Sequence, residues 1–240
     1  MALEYDSFAA IHYKAYRPPL HEIILKKYFT AKTKHELGLD IGCGTGHSSI
    51  ALTKLCNQVI GIDTSKFMLE YTAPHKNINY QYFDGRNLKF DADSFSIITL
   101  AGSLFYAKSQ GFLDELIRVS KNNSQIIIYD FDVNLKSILS HFKFKVCNRQ
   151  VYDHQIDFSG LNDNNIILQT NDADNITLEI SSKNVAHLLL SVKAQRLFFE
   201  KLYLEQNVHS QLTENLKELS NKDNFMVNVS IFCKVYKVFK

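Results

Sequence analysis

The residues best placed to do chemistry are the run Gly38-Leu39-Asp40-Ile41-Gly42-Cys43-Gly44-Thr45-Gly46-His47. Glycines stand at 42, 44 and 46, directly after a strand-like run and before a helix-like one. Glycine is needed where the backbone turns tightly, and where a ligand must approach without a Cβ in its way. A ligand-free connecting turn would not require three glycines in register, so the loop reads as a cradle. Two ligands compete for it. A dinucleotide fingerprint, Gly-x-Gly-x-x-Gly, packs helix on strand through its third glycine and holds a pyrophosphate at the helix N-terminus. Here that third position is His47, and Gly46 comes one residue earlier. The tighter spacing suits a ligand without phosphates, wrapped at its amino-acid and ribose end, and so favours S-adenosylmethionine. Asp40 could reach such a ligand's ammonium through water. Asp63, about 20 residues after Gly42, could accept both ribose hydroxyls. An acid there also serves NAD, and Asp63 could instead cap a helix at Lys66, a task open to Thr64 or Ser65 as well.

The elements that must position these residues follow from the periodicity. Residues 37–41, 58–62, 78–83, 95–100 and 125–131 read as strands, and 48–56, 66–71 and 111–120 as helices between them. Alternation of this kind predicts an α/β fold with a doubly wound, mostly parallel Rossmann-like sheet, whose ligands bind outside the strands' carboxyl ends. Residues 7–28 look helical, with a break at Pro18-Pro19. Beyond the core, 142–152 and 166–180 read as strands, the latter turning at Asn171-Asp172-Ala173-Asp174. Ser182 is placed to cap one long helix through Tyr203, with Val185, Leu188, Leu189, Val192 and Leu197 on or near one face. A helix over 208–219 and a strand over 225–239 close the chain. No linker rich in Pro, Gly or Ser appears, so the expectation is one domain over 1–240. It divides into a helical cover at 1–35, a cofactor-binding core at 36–131 and an elaboration at 132–240 that completes the sheet and the substrate side.

The run from Leu39 to Gly46 resembles the first motif of the type 11 S-adenosylmethionine-dependent methyltransferases, a class I group that includes trans-aconitate methyltransferase-like enzymes. Gly61-Ile62-Asp63-Thr64-Ser65-Lys66-Phe67-Met68-Leu69 is similar to the family's second-strand motif, and Phe83-Asp84-Gly85-Arg86-Asn87-Leu88 to its third. Residues 94–106 resemble the fourth, and Glu115-Leu116-Ile117-Arg118-Val119 the helix before the fifth strand. The resemblance implies a cofactor site of Asp40, Gly42, Cys43, Gly44, Thr45, Gly46, Asp63, Thr64, Met68, Asp84, Gly85 and Ala101. In it Asp63 takes the ribose, Met68 packs on the adenine and Asp84 meets the adenine amino group. Tyr13-Lys14-Ala15-Tyr16-Arg17-Pro18 resembles a segment that covers the active site in many members. It makes Tyr13, Tyr16 and Arg17 acceptor-side or lid candidates, with Tyr106 just past the fourth strand. Tyr13 and Tyr16, three apart, would share a helix face, and Arg17 could pair bidentately with a carboxylate. An aromatic helix face packed on the sheet is the competing reading. Two positions depart from the family: Ser96 replaces Asp, and Lys121-Asn122-Asn123-Ser124 replaces a Lys-Pro-Gly-Gly turn. Asn tolerates the left-handed conformation, so that turn can survive.

Transfer from a sulfonium is an in-line displacement that needs positioning more than covalent help. A base is needed only for a carbon acid, hydroxyl or ammonium, and none for the carboxylate acceptor that the trans-aconitate resemblance suggests. No catalytic residue is nominated. His187 and His209 read as surface or interior residues, His141 and His154 carry no motif, and no histidine pair has metal-ligand spacing. The alternatives are a non-catalytic S-adenosylmethionine-binding protein, motivated by Ser96, and an NAD-dependent oxidoreductase, disfavoured by His47.

The whole chain sets outer bounds. Its 240 residues carry a net charge of +2, with 45% hydrophobic and 22% charged residues, which are ordinary globular values. That balance gives no electrostatic case for nucleic acid or an anionic membrane, and leaves a small molecule as the expected partner. Cys43, Cys56, Cys147 and Cys233 show neither metal nor disulfide spacing. With no apolar run approaching the ~20 residues of a membrane span, and no leader pattern, a cytoplasmic protein is expected.

Overall fold

Strands buried on both faces need near-continuous apolar runs, and 97–100 (Ile-Ile-Thr-Leu) and 126–129 (Ile-Ile-Ile-Tyr) are such runs. In the computed structural model, which describes residues 6–29, 34–145, 152–162, 164–204, 206–220 and 223–240, both become central strands. In chain order the elements are α1 (Ser7–Ala15), α2 (Leu20–Tyr28), β1 (His35–Ile41), α3 (His47–Leu52), β2 (Cys56–Asp63), α4 (Lys66–Glu70), β3 (Ile78–Tyr82) and β4 (Phe95–Ala101). There follow α5 (Leu104–Ala107), α6 (Gln110–Val119), β5 (Ser120–Val133), α7 (Lys136–His141), β6 (Ile166–Ser181), α8 (Ser182–Ser191), α9 (Lys193–Leu202), α10 (Val208–Leu219) and β7 (Asn224–Val238). One seven-stranded sheet runs β3-β2-β1-β4-β5-β7-β6.

The first five strands in chain order are mutually parallel: β1 pairs with β2 and β4, β2 with β3, and β4 with β5. β7 runs against them. The Asn134 amide donates to the Asn228 carbonyl while the Lys240 amide reaches Asn122 Oδ1, so positions rise on one strand as they fall on the other. Register places Ile41 beside Ile62 and Leu100, and Ala101 beside Tyr129. The carboxyl ends of β1, β2, β4 and β5 are thereby aligned. This is the expected Rossmann-like α/β sheet.

The chain divides into two compact units, with the divisions falling inside β5, β6 and β7. One unit holds Pro19–Phe131, Tyr152–Asp174 and Ile231–Lys240. Its core sets Leu39, Ile41, Ile98, Leu100, Ile126 and Ile128 of the sheet against Phe112, Leu113, Leu116 and Val119 of α6. That helix forms because its apolar positions recur every three or four residues and Ser109 caps it, accepting from the Phe112 amide at 3.3 Å. Each fully buried leucine or isoleucine there contributes about 1.5–3 kcal/mol.

The other unit holds Met1–Pro18, Asp132–Val151 and Asn175–Ser230. Asp6 caps α1 by accepting from the Ala9 amide at 2.9 Å, and Arg196 grips the same carboxylate with two bonds of 3.0 and 2.5 Å. Beside that pair, His12 of α1 and His187 of α8 meet Nδ1 to Nδ1 at 2.9 Å, and the His187 and His209 rings lie 4.0 Å apart. Burial holds His12 and His187 down at about 4, with neighbouring histidines and the cations Arg196 and Lys183 adding to the effect. An unfolded histidine titrates near 6.5. Between about 6.5 and 4 the unfolded chain therefore binds more protons than the folded one, and stability falls as pH falls. Melting curves at pH 7.5 and 5 should show this loss, and a His12→Gln/His187→Gln variant should show much less of it. Equal pH dependence in both proteins would refute the assignment.

Five expectations are corrected. β6 is unbroken from 166 to 181, with no turn at 171–174; Tyr28 donates to Asp172 at 2.8 Å and Lys27 pairs with Asp174. The long helix is two helices, α8 and α9, because Val192 is extended at φ −96°, ψ 116°. Ser181, not Ser182, caps α8, and Val192 and Leu197 are left about half exposed. Residues 142–145 are not strand, and 146–151 lie outside the described residues, as does Cys147. Tyr16 follows α1 in extended backbone, so it shares no helix face with Tyr13.

Candidate active site

The loop after β1 is built by its three glycines, all with positive φ. At Gly42 a Cβ would lie 2.4 Å from Ser103 Cβ, and at Gly46 one would lie 2.3 Å from Tyr80 Oη. These two are glycine because the protein itself crowds them. Gly44 differs: at φ +55° its missing Cβ points into space with no heavy atom within 4 Å. The middle of the loop is therefore open, and its two ends are clamped. Ser103 adds to the clamp by donating to the Ile41 carbonyl at 2.6 Å.

Asp63, at the end of β2, accepts from the Gly44 amide and from the Ser65 amide, each at 2.7 Å. Burial raises its pKa, opposed by these amides and that of Thr64. A carboxylate offers about four lone-pair positions, so acceptor capacity remains. Ser65, not Asp63, caps α4, accepting from the Met68 amide at 3.3 Å. Met68 is buried on that helix, and Thr64 is exposed beside it. Gly85 turns at φ +79° with its missing Cβ 3.5 Å from Thr64 Cγ2, so the loops after β2 and β3 adjoin. Asp84 accepts from the Arg86 amide at 3.1 Å, which holds its carboxyl below the usual range.

Asp40 is placed differently from a ligand-facing acid. It is fully buried and accepts three hydroxyls, from Ser48 and Ser49 at 2.6 Å each and from Thr99 at 2.9 Å. Burial pushes its pKa up and the hydroxyls oppose that. It anchors the start of α3 to β4. Cys43 and Thr45 are also buried within the loop, and burial, with Asp40 and Asp63 nearby, raises the Cys43 thiol.

At the end of β4, Ala101 and Gly102 lead into α5, where Tyr106 is 43% exposed. Tyr152 donates to the Gly102 carbonyl at 2.6 Å, and His154 Nδ1 lies 2.8 Å from Asp130 Oδ2 at the end of β5. Phe105, Tyr106 and Tyr152 are in mutual ring contact at 4.5–6.0 Å. Sequence spacing gave no hint of His154, because its partner is 24 residues away on a neighbouring strand. In the other unit, the Arg17 guanidinium lies 3.3 Å from the Tyr13 ring centre and Tyr16 packs on that unit's core.

The two departures from the family pattern lie away from this end of the sheet. Ser96 Oγ meets His35 Nδ1 at 3.1 Å and donates weakly to the Leu37 carbonyl, at the amino ends of β4 and β1. Lys121–Ser124 sits at the irregular start of β5, where Asn123 takes the left-handed φ of +64°. Among the described residues, no group of three His, Cys, Asp or Glu side chains could hold a metal ion, and no helix is long and apolar enough to cross a membrane.

Comparison with known proteins agrees on one stretch. Residues 39–128 match the family model described as a methyltransferase domain. A demethylmenaquinone methyltransferase of Clavibacter sepedonicus is 36% identical over 98 residues, covering 39% of this chain and 40% of its own. An uncharacterized methyltransferase of Bacillus subtilis, YcgJ, is 26% identical over 126 residues, covering 50% and 49%. The chain thus spans half or less of the curated relatives it matches. A protein of Anaeromyxobacter dehalogenans, provisionally named a type II methyltransferase, shares the fold over 93% of this chain and 98% of its own. Its TM-score is 0.62 at 14% identity. By sequence, residues 39–128 are thus similar to a methyltransferase domain, and they lie in a Rossmann-like α/β sheet that these proteins of known structure share.

Proposed function

We propose that this protein transfers a methyl group from S-adenosylmethionine to a small-molecule acceptor. The observation that carries the reading is the open space over Gly44 at a loop otherwise clamped by Ser103, Tyr80 and Asp63. A cradle that a single Cβ would fill fits a ligand lying directly on the backbone. The family pattern then assigns Gly42 to Gly46 to the amino-acid and ribose end, Asp63 to the ribose, and Met68, Asp84 and Gly85 to the adenine. Ala101 lies toward the transferred methyl. When bound, the cofactor supplies the electrophilic methyl. The chain's own work is to hold two reactants in line, an effect worth up to ~7–11 kcal/mol, and to keep water out. Tyr106 faces the acceptor side in this reading.

The trans-aconitate-like subgroup would make the acceptor a carboxylate, which needs no base. A non-catalytic binder has lost its motive, since Ser96 bonds to His35 and Leu37 at the far end of the strand. Calorimetry tests the reading: S-adenosylhomocysteine should bind and NADH should not, and the reverse would overturn it. In the same assay, Asp63→Ala should weaken binding by about 1.5–3 kcal/mol, the scale of hydrogen bonds to a charged group. That is roughly 10- to 150-fold in affinity. A change under about twofold would leave Asp63 as a tie between the Gly44 and Ser65 amides and nothing more.

A further inference from the structure

We propose that this protein forms a two-fold symmetric dimer through the outer face of α9, with a second copy of the chain as the partner. The residues concerned all belong to the unit that holds α1 and α8 to α10, so the surface stands whether or not the methyl-transfer reading does.

The order of residues along the helix comes first. The run Leu197-Phe198-Phe199-Glu200-Lys201-Leu202-Tyr203-Leu204 has opposite charges at its centre and a leucine three residues out on each side. Positions 197, 200, 201 and 204 follow the spacing of one helix face. Phe199 is turned inward and fully buried, while Leu197 is 53% and Leu204 80% exposed. Those two leucines, Glu200 and Lys201 line one open groove of about 510 Å³. Leu204 is doubly costly where it stands. It follows the end of α9 at φ +52°, a left-handed backbone that leucine adopts only at a penalty, and its side chain is left in water. Glycine or asparagine would serve a bare helix end better.

A two-fold axis between positions 200 and 201 accounts for this order. In an antiparallel pair of α9 helices, Leu197 meets the partner's Leu204, Glu200 meets the partner's Lys201, and each contact occurs twice. A parallel pair would set acid on acid and base on base, which like charges oppose. The leucines supply the attraction and the charges set the direction, because an exposed ion pair by itself is worth little. Glu200 also lies 3.5 Å from Arg196 Nε, and a carboxylate with about four lone-pair positions can take a lysine besides. The groove has room for the leucine that pairing would insert, since ~150 Å³ holds a benzene-sized group.

The apolar surface continues from α9 onto α1. Arg196 Cζ lies 5.3 Å from the Phe8 ring centre, and Phe8 and Ile11, three apart on α1, are 58% and 44% exposed. Single exposed leucines need no explanation, whereas a run of large apolar side chains rimmed by charge marks an interface.

Sedimentation equilibrium of the full chain tests the pairing. At roughly 50 µM, above the micromolar dissociation constants of the weaker standard-size interfaces, wild type should sediment at twice the chain mass. Leu204→Asn removes the apolar side chain yet suits the left-handed backbone, so it should stay folded by circular dichroism while the dimer weakens at least 10-fold. Lys201→Glu should weaken it as much by leaving only carboxylates around the axis, and Glu200→Lys by leaving only ammonium groups. A 1:1 mixture of these two folded variants should recover a dimer, which a merely damaged helix cannot give. Met226→Glu changes a side chain 71% exposed on β7 and should leave the dimer intact. A monomeric wild type, an unchanged dimer in both Leu204→Asn and Lys201→Glu, no recovery on mixing, or equal loss in Met226→Glu would each overturn the proposal. A monomer that floats with phosphatidylglycerol vesicles, and ceases to when Leu197 and Leu204 are replaced, would give the surface to a membrane and overturn it too.

Discussion

Gly44→Val is expected to yield a folded protein that has lost S-adenosylmethionine binding by more than ~100-fold, about 2.7 kcal/mol or more. The direction follows from what surrounds each glycine. At Gly44 an added Cβ meets no protein atom within 4 Å, so the side chain is directed into the open space where the proposed ligand would lie. Its cost to folding is the left-handed backbone, about 1–2 kcal/mol, against a usual total of ~5–15 kcal/mol. Gly42→Ala should behave oppositely. Its Cβ would stand 2.4 Å from Ser103 Cβ, so the loop must open and the melting temperature must fall before any question of binding arises. Calorimetry and thermal melts on both variants separate the two roles. Near-normal affinity in Gly44→Val would refute the assignment of this loop.

Asp40→Ala should be strongly destabilising. The buried carboxylate accepts from Ser48, Ser49 and Thr99, and its removal takes the acceptor from all three buried hydroxyls, leaving Thr99 only its longer bond to the Leu39 carbonyl. Each unsatisfied buried group costs about 1–3 kcal/mol, and hydroxyl rotation recovers part, so roughly 3 kcal/mol is expected. At ~2–4 °C per kcal/mol for a chain this size, the melting temperature should drop by roughly 6–12 °C. Asp40→Asn keeps one acceptor oxygen and should lose less. A drop under about 2 °C in Asp40→Ala would show that the hydroxyls find other partners.

These two residues also show how far the sequence could be read. The glycine spacing was legible because a ligand-bearing turn is a local event, encoded in adjacent positions. The same spacing could not tell that Gly42 and Gly46 answer to Ser103 and Tyr80 while only Gly44 faces open space. Those partners lie 34 to 61 positions on. Asp40 sat in a recognisable motif, yet its partners include Thr99, brought alongside by the β1–β4 pairing. His154 was invisible for the same reason. Parallel strands were easy to place, since burial on both faces leaves short, mostly apolar runs such as 97–100 and 126–129. Beyond residue 131 local pattern misled. Val192 fitted a helical stripe, and the polar run 171–174 looked like a turn. Tertiary partners decide both: Val192 ends α8 in extended backbone, and Asp172 and Asp174 are held by Tyr28 and Lys27 within an edge strand.

The bond from the Gly44 amide to Asp63 has a consequence for the thermodynamics of recognition. The loops that follow β1 and β2 are joined before any ligand arrives, and the Ser65 amide holds the same carboxylate from the other side. Binding sites assembled from independent loops surrender conformational entropy when the ligand orders them. Here that ordering is complete when the chain has folded, so less of the interaction energy is consumed by it. The two loops also answer to one carboxylate, so a perturbation on either is felt at both ends of the ligand. Substitutions in the two should therefore combine non-additively, as neighbours sharing a partner do.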